Sequence, residues 1–218
     1  MRAGIFVGVN EPLVVETLTA MPPGPFDAVV RIDGSGVCHT EAAVLAGDLP
    51  MPTPMILGHE VTGVVVETGR GVTRVKVGDR VISSGLPACG NCPPCVQGQS
   101  HLCDLTFASP DVVRARRADG TDVRAFGSLG GFADMMTVNE ASIVPVHTDL
   151  PAEQLALIGC AITTGVGAVL NAARLVPGAT AAVVGCGGVG QCVVQGARIA
   201  GASRIFAVDP VATKRQAA

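Results

Sequence analysis

The sequence predicts an α/β protein: a β-rich part first, then the start of a parallel sheet with its crossover helix. Three observations predict it. Short strand-like runs broken by Gly and Pro fill the chain to about Val146. The texture turns helical after Pro151. From Ala181 the order is apolar run, Gly-rich turn, helical pattern, apolar run, which is a β-α-β unit.

In chain order, Met1 to Glu16 reads as an alternating strand with Gly8 and Pro12 inside it. Ala28–Ile32, Val61–Glu67 and Arg80–Ile82 are strand runs, separated by turn signals at Gly34–Gly36, Gly69–Gly71 and Gly78–Asp79. Asp119–Gly120 is a hairpin turn within a polar, Arg-rich excursion from Arg114 to Arg124. Ala152–Leu157 and Thr164–Leu175 are helical, with a stop at Pro177–Gly178. Ala181–Val184 is a buried-type strand, a helix runs from about Gly188 to Ala200, and Arg204–Val208 is a second strand ending at Asp209.

Composition narrows the function classes. With 48% hydrophobic and 15% charged residues in 218, the chain is too apolar for disorder. A formal net charge of −3 offers no electrostatic grip on nucleic acid or on an anionic membrane, so neither is expected as a partner. No apolar run nears the ~20 residues of a membrane helix. The first residues lack a basic n-region, a continuous apolar h-region and a small-residue cleavage site. The expectation is a soluble cytoplasmic protein.

In such a compartment eight cysteines point to metal or catalysis before disulfides. Cys89, Cys92, Cys95 and Cys103 stand in one short, Pro- and Gly-rich segment with Cys-x-x-Cys-x-x-Cys spacing. Four thiolates satisfy the tetrahedral demand of a closed, structural zinc site, and four protein ligands leave no open position for catalysis. Two disulfides or free buried thiols are the alternative. That segment carries no Lys or Arg, unlike a DNA-binding zinc module.

A second set is dispersed: Cys38-His39-Thr40-Glu41, Gly58-His59-Glu60, and Cys160 in Ile158-Gly159-Cys160-Ala161. Two thiolates and an imidazole make three ligands, and a catalytic zinc keeps its fourth position for water or substrate. Singly, each is a weak signal; a lone Cys is usually a small buried apolar residue. Glu60 is an outer carboxylate or an occasional ligand, with a surface charge as the alternative.

The third set is Gly185-Cys186-Gly187-Gly188-Val189-Gly190, with Asp209 closing the next strand. Between a strand and a helix, with an acid at that distance, G-x-G-x-x-G signals a dinucleotide site. The glycines admit the pyrophosphate to the helix N-terminus, and Asp209 takes the adenosine ribose hydroxyls, favouring NAD over NADP. Cys186 and Cys192 read as small buried filler.

Gly58-His59-Glu60, the four-Cys segment, Cys160 and the Gly185–Gly190 loop, in this order, resemble the zinc-dependent medium-chain alcohol dehydrogenases. The resemblance covers the whole chain. It implies a GroES-like catalytic domain over residues 1–165 and the start of a Rossmann coenzyme domain over 166–218, incomplete at two strands and one helix. It implies two zincs per subunit, one catalytic on Cys38, His59 and Cys160 and one structural on Cys89, Cys92, Cys95 and Cys103. It further implies NAD as coenzyme, a small-molecule alcohol or aldehyde as substrate, and homo-oligomeric full-length relatives.

By the same resemblance, Thr40 takes the alcohol's proton, Glu60 belongs to the catalytic centre and Glu41 is the acid behind the zinc-ligand His. His39 lies near the coenzyme phosphate, Thr164 and Val189 neighbour the nicotinamide, Lys214 lies on the ribose side, and Leu49 falls in the substrate lining. The segment from Gly47 to Pro54 and the Thr163-Thr164-Gly165 run look closest to the class III, formaldehyde-type branch and its actinobacterial tight-NAD relatives. Ala43 stands where many members carry a proton-relaying His. The short coenzyme part reads as a piece of a longer enzyme. Two rival readings make different predictions: a non-catalytic zinc-binding remnant binds zinc without coenzyme, and a superfamily reductase without catalytic zinc holds one metal instead of two.

Overall fold

The strand-like runs of the β-rich part pair, mostly antiparallel, into two sheets, each with its own buried apolar cluster. The computed structural model describes residues 1–108 and 112–218, with the side chains of 107 and 108 also outside the description. It divides into two units, Met1–Gly159 and Cys160–Ala218.

In the first unit the strands are β1 Arg2–Phe6, β2 Val14–Thr17, β3 Thr19–Ala20, β4 Asp27–Ser35, β5 Met55–Ile56, β6 Val61–Thr68 and β7 Arg80–Ser83. They continue with β8 Val113–Arg116, β9 Asp122–Ala125, β10 Met135–Asn139 and β11 Ile143–Pro145. Among the described residues, one sheet has the order β2-β1-β5-β9-β8-β3 and the other β10-β4-β6-β7-β11. Ala28, Val30, Val61, Val65, Val81, Met136 and Val138 form one buried cluster of the second sheet.

The N-terminal run is a hairpin and not one strand. β1 and β2 pair antiparallel from Arg2 opposite Thr17 to Ile5 opposite Val14. Both arms carry strand-forming residues (Ile5 and Phe6, then Val14, Val15 and Thr17), so residue type alone does not show the reversal. The break lies at Gly8–Pro12, where Asn10 adopts φ +61° and donates its N–H to the Leu45 carbonyl at 2.7 Å. The Asp119–Gly120 turn does join β8 to β9, with Gly120 at φ +88° and the Thr121 N–H on the Asp119 carboxylate at 2.9 Å.

Helix α1, His39–Ala46, interrupts the strands and positions the candidate site. Cys38 precedes it in an extended conformation and Gly47 ends it at φ +84°, left-handed backbone that favours glycine. Val44 anchors it in a cluster with Phe6, Met55 and Leu57, ringed by Leu45, Leu49, Met51 and Phe132. Short helices α2 Pro93–Val96, α3 Asp104–Ala108 and α4 Ala152–Leu155 complete the unit.

The second unit holds α5 Ala161–Gly167, β12 Thr180–Val184, α6 Gly188–Ile199, β13 Arg204–Val208 and α7 Ala212–Ala217. β12 and β13 pair parallel from Thr180 opposite Arg204 to Val184 opposite Val208, so the β-α-β reading holds. The expected helix Thr164–Leu175 begins earlier, at Ala161, and widens into π-type turns over Ala168–Ala173 before Arg174 ends it at φ +49°. Gly165 lets α5 press against α6, because a Cβ there would run into Cys192. Cys186 and Cys192 are buried.

Candidate metal and coenzyme sites

Backbone hydrogen bonding fixes the Gly58–Val61 turn before any side chain is considered. The buried Ser83 hydroxyl donates to the His59 carbonyl at 2.9 Å and accepts from the Val61 N–H at 2.8 Å. Gly36 N–H holds the Glu60 carbonyl at 2.8 Å. Gly58 sits at φ +93° with Phe132 so near that a Cβ would meet it at 2.7 Å. Ser83 was not legible as a site residue; a lone Ser closing a strand carries no motif.

On this frame Glu41, buried in the first turn of α1, serves two partners. Its Oε2 accepts the Cys38 N–H at 2.9 Å, the carboxylate half of a capping box. Its Oε1 lies 2.5 Å from Nδ1 of His59. A carboxylate on Nδ1 sets the tautomer that puts the ring's lone pair on Nε2, the arrangement of metal-binding histidines. Phe126 stands edge-on to the His59 ring with centroids 5.7 Å apart. Glu60 is also buried, and a Cβ on Gly36 would occupy the place of its carboxylate.

The ligand atoms of Cys38, His59 and Glu60 lie within 4.8 Å of one another. Thr40 places its hydroxyl 3.5 Å from the Cys38 sulfur. His39 is exposed at the start of α1, and Ala43 is half-buried one turn on. Cys160 opens the second unit as the residue capping α5, its carbonyl accepting from the Thr164 N–H at 2.9 Å and the Thr163 hydroxyl at 3.1 Å. A soft sulfur, an imidazole and a carboxylate, all within the first unit, are donors that suit zinc.

The four-cysteine segment folds into a knot of thiols. The sulfurs of Cys89 and Cys95 are 4.0 Å apart, and those of Cys92 and Cys103 3.9 Å. Tetrahedral Zn–S bonds of ~2.3 Å put ligand sulfurs about 3.8 Å apart. The fit to one zinc ion is close. N–H groups of Asn91 and Cys92 point at the Cys89 sulfur at 3.4 and 3.3 Å and bring its thiol down to about 6. Cys95 is pushed up to about 12: the Gly90 N–H pulls the other way, but burial and the Cys92, Cys103 and Cys89 thiols outweigh it. A divalent cation among the four sulfurs would favour the thiolate form that ligation requires.

In the second unit the Gly185–Gly190 turn joins β12 to α6. Gly185 is at φ +95°, and a Cβ on Gly190 would strike the Gly185 carbonyl, so internal geometry requires both. Gly187 and Gly188 differ: a Cβ on either would point into open space. Nothing in the unit requires glycine there, while a pyrophosphate against the helix N-terminus would. Asp209 accepts from Cys186 N–H and Val211 N–H, each at 2.8 Å, which together hold its carboxyl below the ordinary value. Gln191, which sequence reasoning passed over, ties the Cys186 carbonyl to that of Lys214 through its amide, at 3.1 and 3.0 Å. Thr164, Val189 and Lys214 are exposed.

Residues 24–148 match the alcohol dehydrogenase GroES-like domain family. The chain belongs to that family. It is 40% identical over 221 residues to the putative alcohol dehydrogenase D of Mycobacterium tuberculosis, covering 99% of this chain and 60% of that protein. It is 40% identical over 215 residues to the S-(hydroxymethyl)glutathione dehydrogenase of Photobacterium damsela subsp. piscicida, covering 95% and 58%. An alcohol dehydrogenase zinc-binding domain protein from Burkholderia ambifaria superposes with a TM-score of 0.91 at 32% identity, over 98% of this chain and 60% of that one. The chain thus spans about 60% of the length of the curated relatives it matches. The family is one of oxidoreductases, and the four-cysteine cluster fits its structural zinc.

Proposed function

We propose that this chain is the zinc-binding and coenzyme-entry part of an NAD-dependent alcohol dehydrogenase acting on a primary alcohol or an aldehyde–thiol adduct. The observation that carries it is Glu41 joining Cys38 and His59 on one carboxylate, which pre-sets a sulfur and an imidazole as ligands for one ion. Cys38, His59 and Cys160 are the ligands in this reading, with Glu60 beside them. Cys160 enters this set by its motif position. Cys89, Cys92, Cys95 and Cys103 hold a second, structural zinc. Residues 1–165 form the catalytic domain and 166–218 the opening of the coenzyme domain.

Zinc bound at the first centre supplies a Lewis acid that favours the deprotonated alcohol at neutral pH. NAD supplies the hydride acceptor. The protein's own groups position and move the proton. Thr40 Oγ1, beside Cys38, accepts the alcohol's proton and passes on its own. Ala43 offers no next acceptor, so the route onward runs through water or His39, the exposed imidazole on the same helix. Gly187, Gly188 and Gly190 would admit the pyrophosphate and Gly185 makes the turn, while Val189 and Thr164 would neighbour the nicotinamide. Asp209, with Lys214 on the helix that follows it, would recognise the ribose. The pinned, anionic Asp209 repels a 2′-phosphate, which favours NAD over NADP. The substrate's thiol adduct, the class III branch and the cytoplasmic setting belong to the same reading; a reducing compartment keeps clustered thiols available to metal.

The test is a titration of the zinc-loaded chain with NADH, followed by NAD reduction with a panel of primary alcohols and thiol–formaldehyde adducts. Saturable NADH binding, and turnover lowered about 10²- to 10⁴-fold by Thr40→Val, are expected. Absence of NADH binding by the folded, zinc-loaded protein contradicts the reading.

A further inference from the structure

We propose that Arg74 is a positioning residue for the four-cysteine metal site, holding it in metal-binding geometry from outside the segment. This rests on the reading of Cys89, Cys92, Cys95 and Cys103 as a zinc site.

Arg74 lies in the loop between β6 and β7, and its backbone cannot drift. The N–H groups of Thr73 and Arg74 both donate to Oε2 of the buried Glu140 at 2.7 Å. Glu140 is itself tied through its N–H to the Phe26 carbonyl at 2.9 Å. From that fixed base the guanidinium spans two successive carbonyls, Nη1 to Ala88 and Nη2 to Cys89, each at 2.7 Å. Two arms of one planar group on neighbouring carbonyls fix the orientation of both peptide planes.

Those planes decide where the sulfurs go. The Cys89 N–H points at the Cys103 sulfur at 3.4 Å, which sets the first ligand against the last. The Ala88 N–H is taken by the Ala141 carbonyl at 3.1 Å, so this approach to the knot is anchored on the same turn that carries Glu140. Charge points the same way. Four thiolates around one divalent ion leave a net negative centre, and residues 89–103 contain no Lys or Arg to offset it. Arg74 brings a guanidinium to the segment, so near that a Cβ placed on Gly90 would lie 3.7 Å from Nη2. Its side chain is exposed, so removing it leaves the apolar core intact.

The experiment uses the full chain in a Cys38→Ser, Cys160→Ser background, which leaves the four-cysteine segment as the thiolate site. Zinc release to a chromogenic chelator is timed for this protein and for Arg74→Ala, and cobalt is loaded in place of zinc to read the thiolate-to-metal charge-transfer band. Outer partners of metal ligands typically change affinity about 10- to 100-fold. Arg74→Ala is expected to release zinc at least about tenfold faster, with a weakened or displaced cobalt band. Should Arg74→Ala fail to fold, Arg74→Lys carries the test: it keeps the charge but only one point of contact, and faster release than the parent supports the proposal. Release rates and cobalt bands equal to the parent's overturn it while leaving the zinc reading intact. A parent protein that holds no zinc or cobalt overturns both.

Discussion

Single residues carry the candidate centre, and Glu41 carries most. Its two oxygens are divided between the Cys38 N–H and His59 Nδ1, so the start of α1 and the turn before β6 are set by one group. Glu41→Gln leaves one acceptor oxygen for two donors. It is expected to weaken zinc binding at the Cys38–His59 centre about 10- to 100-fold in chelator competition, with the four-cysteine centre unaffected. Unchanged affinity contradicts this arrangement. Asp209 makes a pH prediction. Backbone N–H groups of Cys186 and Val211 favour its charged form, so its folded value lies below the ordinary 3.8. A lowered carboxylate contributes stability that is present above the ordinary value and is lost as pH falls through the folded one. The Cys186 amide resonance should therefore titrate with a midpoint below that ordinary value. A midpoint at or above the ordinary value contradicts the bond.

At the scale of elements, the turn Leu57–Val61 is the decisive piece. Its glycine combines a positive φ with a neighbour too close for a side chain, since Gly58 abuts Phe132 while Gly131 N–H holds its carbonyl at 2.8 Å. Gly58→Ala is expected to cost about 1–3 kcal/mol in denaturant unfolding. It should also displace His59 enough to lower zinc occupancy. Helix α1 shows why sequence reading stops short of elements. Its start has Cys38 where Ser, Thr, Asp or Asn usually mark a helix N-terminus, so the boundary gives no strong signal. The N-terminal hairpin escaped for a related reason: both arms consist of strand-forming residues, and only Gly8, the left-handed Asn10 and Pro12 betray the reversal. The order of the β-α-β unit was legible, because strand, Gly-rich turn, helix and strand follow one another without interruption. The burial expected of Ala181–Val184 is not met: only Val183 is buried and Val184 is exposed, since among the described residues just two strands of the sheet are present to cover it.

For the molecule as a whole, each unit keeps its own business. No single helix among the described residues is long and apolar enough to cross a membrane. With zinc on the four cysteines, the first unit would rest on metal as well as on apolar burial, the knot of thiols standing where residues 87–103 add nothing to the main apolar cluster. Stripping zinc from the chain with a chelator is expected to lower its Tm by at least about 5 °C, and restoring zinc to recover it. An unaltered Tm after verified metal loss contradicts a structural role. Sequence alone determined the donor set, the cysteine spacing, the coenzyme-type turn and the family, because these are local patterns whose chemistry is written in residue type and separation. Tertiary structure decided the rest. It joined Cys38 to His59 through Glu41, fixed the His59 turn with Ser83, tied the Cys186 and Lys214 carbonyls with Gln191, and set Arg74 against Cys89. Those contacts join residues distant in sequence, and only packing brings a side chain to a partner that no local period encodes.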